Sequence, residues 1–165
     1  MDRNRFAPPT SEVRDVESLT PIDQGEVRYV GFWARCGASF IDGVVLVALT
    51  SPVLIAVYGL DYFELTSQDL VAGPVDVLVT WVFPFVAVVL LWHYKQATPG
   101  KMAIRAHVVN ARTGEPLSIA RCVTRYVATA LAGLPLGLGL IWIAFDRRKQ
   151  GWHDKLAGSV VVQRR

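Results

Sequence analysis

The chain has 165 residues, of which 52% are hydrophobic and 19% charged, with a formal net charge of +3. A soluble domain carries about 25% charged residues, and a chain of this length has room for one domain. The charges are concentrated in residues 2–28, 95–125 and 146–165, with long uncharged runs between them. This pattern excludes an ordinary soluble domain and favours a small integral membrane protein.

Residues 1–28 contain three prolines and scattered charges of both signs, without a hydrophobic period. Such a segment cannot bury enough apolar surface to fold, so we expect a disordered tail. It does not have the features of a cleavable signal peptide, and the first apolar run should therefore act as a signal anchor.

The first apolar run predicts a transmembrane helix over residues 33–58. Between Cys36 and Leu60 the only charged residue is Asp42. Twenty-five helical residues extend about 37 Å, which exceeds the ~30 Å hydrocarbon layer. A second helix is predicted over residues 75–93, because residues 77–92 are uncharged.

The charges between and after these helices predict the orientation of the chain. The connection between the two helices carries acids and no Lys or Arg, whereas the loop 94–118 is basic. The positive-inside rule places this loop and the N-terminus in the cytoplasm, in a multi-pass protein of the plasma membrane. The basic loop should contact anionic lipid headgroups rather than nucleic acid.

Two short segments alternate in a manner typical of β-strands. Apolar residues recur at every second position over 102–109, and residues 159–163 read SVVVQ. The second strand needs a partner, and pairing with the first requires both to lie on one side of the membrane. Between them, Ser118 is expected to cap an amphipathic helix that begins at Ile119.

The apolar segment 119–145 is interrupted in its middle by Gly133, Pro135 and Gly137. Gly133 and Gly137 have GxxxG spacing, but the proline between them favours a break over a packing face. A re-entrant hairpin that turns near residues 134–138 keeps the basic C-terminal segment 146–165 inside, whereas a single crossing places it outside. Two full crossings need ~40 residues.

These elements predict an all-α membrane protein with two transmembrane helices and a third broken apolar segment, either re-entrant or spanning. A small cytoplasmic β element completes the predicted fold. No catalytic constellation is visible, so an enzyme is not expected. The histidines are scattered singly, and neither a metal nor a cofactor is expected. Neighbouring His153 and Asp154 should face apart, which argues against a proton relay.

Asp42 is the most informative residue, because a charge inside an apolar helix costs on the order of 2.5 to 3.5 kcal/mol on insertion scales. Arg35 lies seven residues earlier on the same helix face, but its side chain should lean away from Asp42. The expected partner of Asp42 is therefore a cation or donor from another segment, such as Arg125 or Lys101. The role of Asp42 is either to lock helix packing or to bind an ion or solute.

Three motifs, in order, resemble those of the RDD family of small membrane proteins over about Tyr29 to Val162. The first is Arg35 followed at seven residues by Asp42, and the second, residues 96–101 (QATPGK), is similar to the family's TPGK signature. The third combines residues 146–148 (DRR) with residues 150–162 (QGWHDKLAGSVVV). The resemblance implies one membrane domain over residues 29–163.

The resemblance also implies which residues matter. Arg35 and Asp42 match the family's arginine and first aspartate, and the second aspartate is Asp154 or its rival Asp146. The TPGK residues include three further motif positions: Pro99, Gly100 and Lys101.

For function, the resemblance implies transport of an unidentified solute or cation, with sodium/proton antiport proposed for some members. Two or three crossings are few for a solute pathway, so a homo-oligomer or a membrane-protein partner is expected. The alternative is a non-catalytic scaffold or assembly partner for other membrane proteins.

Overall fold

The computed structural model describes residues 27–62, 64 and 71–164. The predicted disordered tail falls outside this range except for its last two residues. The first described element is strand β1, Val27–Tyr29. It was not predicted, since three residues next to a polar tail carry no strand signal.

The first long helix, α1, spans Phe32–Tyr58. It includes Pro52, and it exposes large apolar side chains such as those of Trp33 and Phe40. Its length and apolar composition are sufficient to cross a bilayer.

The second long helix, α2, consists of Pro74–Asp76, a π-helical stretch Val77–Val82, and Phe83–Tyr94. The π-helical stretch ends two residues before Pro84, which has no backbone N–H to donate to the preceding turn. The second candidate span of the described residues, Pro74–Ala103, consists of α2, the turn after it and the short helix that follows.

The basic loop after α2 begins with a short helix, α3 (Pro99–Ala103), followed by strand β2 (Ala106–Asn110). The predicted strand over residues 102–109 was therefore wrong at its start. Pro99 begins α3 at a position where proline is favoured, and Arg105 has a φ of +53° that separates the helix from the strand.

Strand β3, Ser159–Arg164, is the central strand of a three-stranded antiparallel sheet with the order β1-β3-β2. Val108 pairs with Val161, and Tyr29 pairs with Val162. The predicted pairing of the two strands is confirmed. The sheet also brings the start of α1, the basic loop and the C-terminal segment together.

Helix α4, Ile119–Gly133, is followed by helix α5, Leu138–Ile141, which continues as the 3₁₀ turn Trp142–Ala144. The two helical pieces meet at 113°, so the predicted break is confirmed. Ser118 occupies the N-cap position, but its side chain makes no capping hydrogen bond, contrary to expectation. Gly137, at φ +72°, allows the sharp reversal.

The segment from α4 to α5 connects two strands that are hydrogen-bonded to each other. By length and composition, this bent segment is either a third, broken span or a re-entrant loop. A short helix α6, Trp152–Ala157, then leads directly into β3.

A buried cluster under the sheet joins the C-terminal end of α2 to α4 and the strands. It includes Trp92, Val108, Leu117, Cys122 and Val161. The mostly helical fold, with two long apolar helices, a bent third segment and a small antiparallel sheet, confirms these parts of the predicted class, and the cytoplasmic location of the sheet stays a prediction.

Candidate functional site

Arg35 is buried in the first turn of α1, and each nitrogen of its guanidinium group has an acceptor. Its Nε donates to the carbonyl of Val30 at 3.0 Å, and its Nη2 donates to the carbonyl of Lys149 at 2.5 Å. Its Nη1 contacts the Oδ2 of Asp154 at 2.5 Å. Arg35 therefore pairs with the C-terminal motif. As side-chain direction predicted, Arg35 and Asp42 do not pair with each other, and the two residues of the predicted polar site have different partners.

Asp154, on α6, is completely buried and is shared by two arginines. The Nη2 of Arg125, from α4, lies 2.6 Å from its Oδ1. The backbone N–H of Gly151 donates to its Oδ2 at 3.1 Å. The Nη1 of Arg125 also donates to the hydroxyl of Ser159 at 2.8 Å. Arg35, Arg125 and Asp154 form what we call the arginine–aspartate cluster.

The electrostatics of the cluster favour an ionised Asp154. Burial raises the pKa of this carboxyl, but the positive charges of Arg125 and Arg35 outweigh burial and lower the pKa to about 2. Burial lowers the pKa of the adjacent His153 to about 4, so this imidazole is neutral at pH 7. His153 Nε2 lies 3.5 Å from Asp154 Oδ1. The expectation that these two side chains face apart was wrong.

Asp42 lies seven residues after Arg35, about two helical turns farther along α1, and has different partners. Its Oδ2 accepts a hydrogen bond from the Thr98 hydroxyl at 2.6 Å, and its Oδ1 accepts one from the Gly100 backbone N–H at 2.7 Å. The expectation of a donor from another segment is correct, but Arg125 is not that donor. Lys101 lies close by, with its Nζ 3.3 Å from the Thr98 hydroxyl.

Gly100 allows α3 to approach α1 this closely. A Cβ atom built on Gly100 would lie 1.9 Å from the carbonyl oxygen of Ala38 and 3.0 Å from Cγ of Asp42. No side chain fits there without moving α3. Pro99 is the first residue of α3, and Lys101 follows Gly100. Residues 98–101 of the TPGK motif therefore form one structural unit that packs directly against α1, and we call it the TPGK unit.

Asp146, the rival second aspartate, lies outside the cluster. Its carboxylate accepts from the backbone N–H groups of Arg148 and Gln150 and pairs with Lys155 at 2.6 Å. Backbone hydrogen bonds and Lys155 outweigh partial burial and lower the pKa of Asp146. Asp146 thus stabilises the turn before α6, whereas Asp154 forms the ion pairs between helices.

A cavity of about 460 Å³ lies between α1, α2 and α4, next to Asp42. Its polar end is formed by Asp42, Thr98 and Lys101, with Ser39 nearby. Its walls are mainly apolar and include Leu46, Leu49, Phe83, Val88, Leu91, Tyr126 and Ala130. We call this space the cleft.

Sequence reasoning missed the role of Trp92, near the C-terminal end of α2. It is 5% exposed, and its ring lies between Arg125 and Lys101, at 5.0 Å and 5.7 Å from its centroid. Cation–π contacts of this kind stabilise positive charge without a carboxylate. Thr98 was also missed as a ligand of Asp42, although it belongs to the quoted motif.

A family model described as "RDD family" matches residues 29–158, and thus covers α1, the TPGK unit and the arginine–aspartate cluster. Two bacterial proteins are similar. Uncharacterized protein YxaI of Bacillus subtilis (strain 168) is 27% identical over 80% of this chain and 95% of its own length. Uncharacterized protein RP437 of Rickettsia prowazekii (strain Madrid E) is 32% identical over 46% of this chain, and the match covers 41% of that relative. No solved structure matches the chain. The chain belongs to the RDD family of membrane proteins.

Proposed function

We propose that this RDD-family membrane protein takes part in transport by holding a small solute in the cleft beside Asp42. The observation that carries the proposal is the cleft itself, about 460 Å³ between two candidate membrane spans and α4, with charged groups at one end. Ligand pockets typically have 300–1,000 Å³, largely apolar walls and a few convergent polar groups.

The arginine–aspartate cluster supports the cleft without lining it. Its guanidinium groups and its carboxylate are bound to one another, as expected of a buried unit that fixes the helices. Asp42 faces the cleft and also holds the TPGK unit in position. Arg35 and Asp154 therefore have a packing role alone, whereas Asp42 combines a place in the cleft with the positioning of the TPGK unit.

We also propose that the sheet lies on the cytoplasmic side of the plasma membrane. The strands belong to one sheet, so the start of α1, the basic loop and β3 lie on the same side. Lys and Arg are abundant in these segments, whereas residues 59–76 between the two spans have none. This distribution matches the positive-inside rule, with the basic loop next to anionic headgroups.

Transport is tested with purified protein in liposomes. The probes are radioactive sodium, for a cation, and labelled octanesulfonate, for an amphipathic solute whose permanent charge slows its passage through lipid. We expect faster uptake of one probe than in protein-free liposomes, and a rate near that background for Asp42→Asn. Asp61→Asn, in the connection between the spans, is the matched control and should behave as wild type.

The result that overturns the proposal is uptake at background by the folded wild-type protein for both probes. Unchanged uptake by folded Asp42→Asn would remove Asp42 from the pathway. If the protein shows no uptake but copurifies with one membrane protein in fixed stoichiometry, the scaffold function replaces transport.

A further inference from the structure

The charged groups beside the cleft do not balance. Arg35, Arg125 and Lys101 provide three positive charges, and Asp42 and Asp154 provide two negative ones. The two arginines and Asp154 are buried, so water screens these charges less than on an exposed surface. Among the described residues, the excess of one positive charge lies in the arginine–aspartate cluster next to the cleft, and at the polar end itself Lys101 and Asp42 contribute one charge of each sign.

The two carboxylates already have their partners. Asp154 pairs with both arginines, and Asp42 accepts from the Thr98 hydroxyl and the Gly100 N–H at 2.6 and 2.7 Å. Both of these Asp42 donors are neutral, so the two hydrogen bonds of Asp42 do not use the ammonium group of Lys101.

Lys101 is the cation that remains available. Its ammonium makes a 3.3 Å contact with the Thr98 hydroxyl and lies over the Trp92 ring, but it forms no ion pair within 4.0 Å in the described part of the chain. An ammonium group has three hydrogens to donate. Lys101 also lines the cleft, so its unused donors lie beside the apolar walls.

We propose that the cleft binds a single-chain anionic amphiphile, whose charged head pairs with Lys101 and whose alkyl tail lies between α1, α2 and α4. The head belongs to the class of carboxylates, sulfonates and phosphates. This proposal deepens the proposed function by naming the class of solute. Asp42 is a positioning residue here: by holding Thr98 and Gly100 it fixes α3, and α3 carries Lys101.

Binding is measured by calorimetric titration of the full chain in a non-ionic detergent. Three probes distinguish the contribution of the charged head to binding from that of the alkyl tail. They are octanesulfonate, octyltrimethylammonium with the opposite charge, and methanesulfonate without the tail. We expect saturable binding of octanesulfonate only. A hydrogen bond to a charged group contributes about 1.5–3 kcal/mol, so Lys101→Gln should weaken binding by about 10- to 100-fold.

The matched control is Lys95→Gln, which removes an exposed lysine of the same loop that does not line the cleft. It should bind octanesulfonate as wild type does. Equal binding by folded Lys101→Gln overturns the proposal, as does equal binding of octyltrimethylammonium by the wild type. If Lys101→Gln does not fold, Lys101→Arg should bind octanesulfonate, and a complete loss in that folded variant contradicts the proposal.

A two-chain phospholipid has the same head chemistry and is distinguished by competition. If dihexanoyl phosphatidylglycerol displaces octanesulfonate at a lower concentration than octyl phosphate does, the single-chain proposal is overturned. Binding at Lys101 without uptake by liposomes overturns the transport function alone. If the protein takes up sodium in a manner that depends on Asp42 but does not bind octanesulfonate, only the amphiphile proposal is overturned.

Discussion

Arg35 and Asp154 are 119 residues apart in the chain, yet their side chains lie 2.5 Å apart in the interior. The pair connects the first turn of α1 to α6, and Arg125 adds α4 to the same carboxylate. One buried aspartate thus holds three segments together, and the helices that form the cleft depend on it.

Replacing Asp154 should be among the most destabilising changes in the chain. In Asp154→Asn, two buried guanidinium groups lose the carboxylate that both contact. Breaking a buried ion pair from one side costs about 3–5 kcal/mol. We expect a large fall in the midpoint of thermal unfolding and in the yield of monodisperse protein in detergent.

The matched control for this change is Asp146→Asn. Asp146 pairs with Lys155, whose side chain is 46% exposed, and such pairs contribute about 0–1 kcal/mol. Asp146→Asn should therefore unfold near the wild-type temperature. If it proves as destabilising as Asp154→Asn, the distinction between the two aspartates is wrong.

Gly100→Ala should displace α3 from α1. The added Cβ meets the Ala38 carbonyl oxygen at 1.9 Å, and a backbone oxygen cannot rotate away. We expect lower thermal stability and weaker octanesulfonate binding. Gly37→Ala is the control, because a Cβ at Gly37 meets nothing within 4 Å and alanine favours the helix. Wild-type binding by Gly100→Ala would show that α3 need not be seated on α1.

Local sequence patterns were sufficient to predict α1, α2, the break after Gly133 and strand β3. Each depends on hydrophobic length, on glycine and proline, or on the alternation of apolar residues within one segment. Strand β1 was not predicted, because three residues form a strand only when β3 provides their hydrogen-bond partners.

The site was predictable only in part, because its pairing is set by tertiary contacts. Spacing along α1 placed Arg35 and Asp42 on one face, but it could not show that Asp154 would come close to Arg35. Side-chain direction correctly argued against a direct Arg35–Asp42 pair. It gave no indication that a threonine and a backbone N–H, rather than Arg125, would satisfy Asp42.

The shared sheet predicts where cysteines can be labelled. In a variant with Cys36 and Cys122 replaced by alanine, Arg112→Cys and Arg147→Cys should both react with a membrane-impermeant maleimide from the cytoplasmic side alone. Asp61→Cys should react from the opposite side. Labelling of the residue-112 and residue-147 cysteines from opposite sides would mean that the α4–α5 segment crosses once, which is incompatible with the pairing of β2 and β3.

Stability should fall as the solution is acidified below pH 6.5. The pKa of His153 is lowered by burial from 6.5 to about 4, so between these values the unfolded chain binds a proton that the folded chain does not. The free energy of unfolding should decrease by about 3 kcal/mol across this window. At still lower pH the free energy of unfolding should continue to decrease. The pKa of Asp154 is lowered from 3.8 to about 2 in the folded chain, so the unfolded chain binds this proton first. In His153→Gln the dependence between pH 6.5 and 4 should disappear, and an unchanged slope would assign it to another group.

Filling the cleft should block binding without disturbing the arginine–aspartate cluster. Ala130, on α4, lines the cleft and is exposed. A leucine side chain at this position would occupy the space assigned to the alkyl tail, while Lys101 keeps its charge. Ala130→Leu should therefore weaken octanesulfonate binding at least 10-fold and leave the unfolding temperature near that of wild type. Ala120→Leu adds the same side chain on an exposed part of α4 away from the cleft, and it should bind normally. Equal loss in both variants would indicate a general effect on α4, whereas normal binding by Ala130→Leu would place the alkyl tail elsewhere.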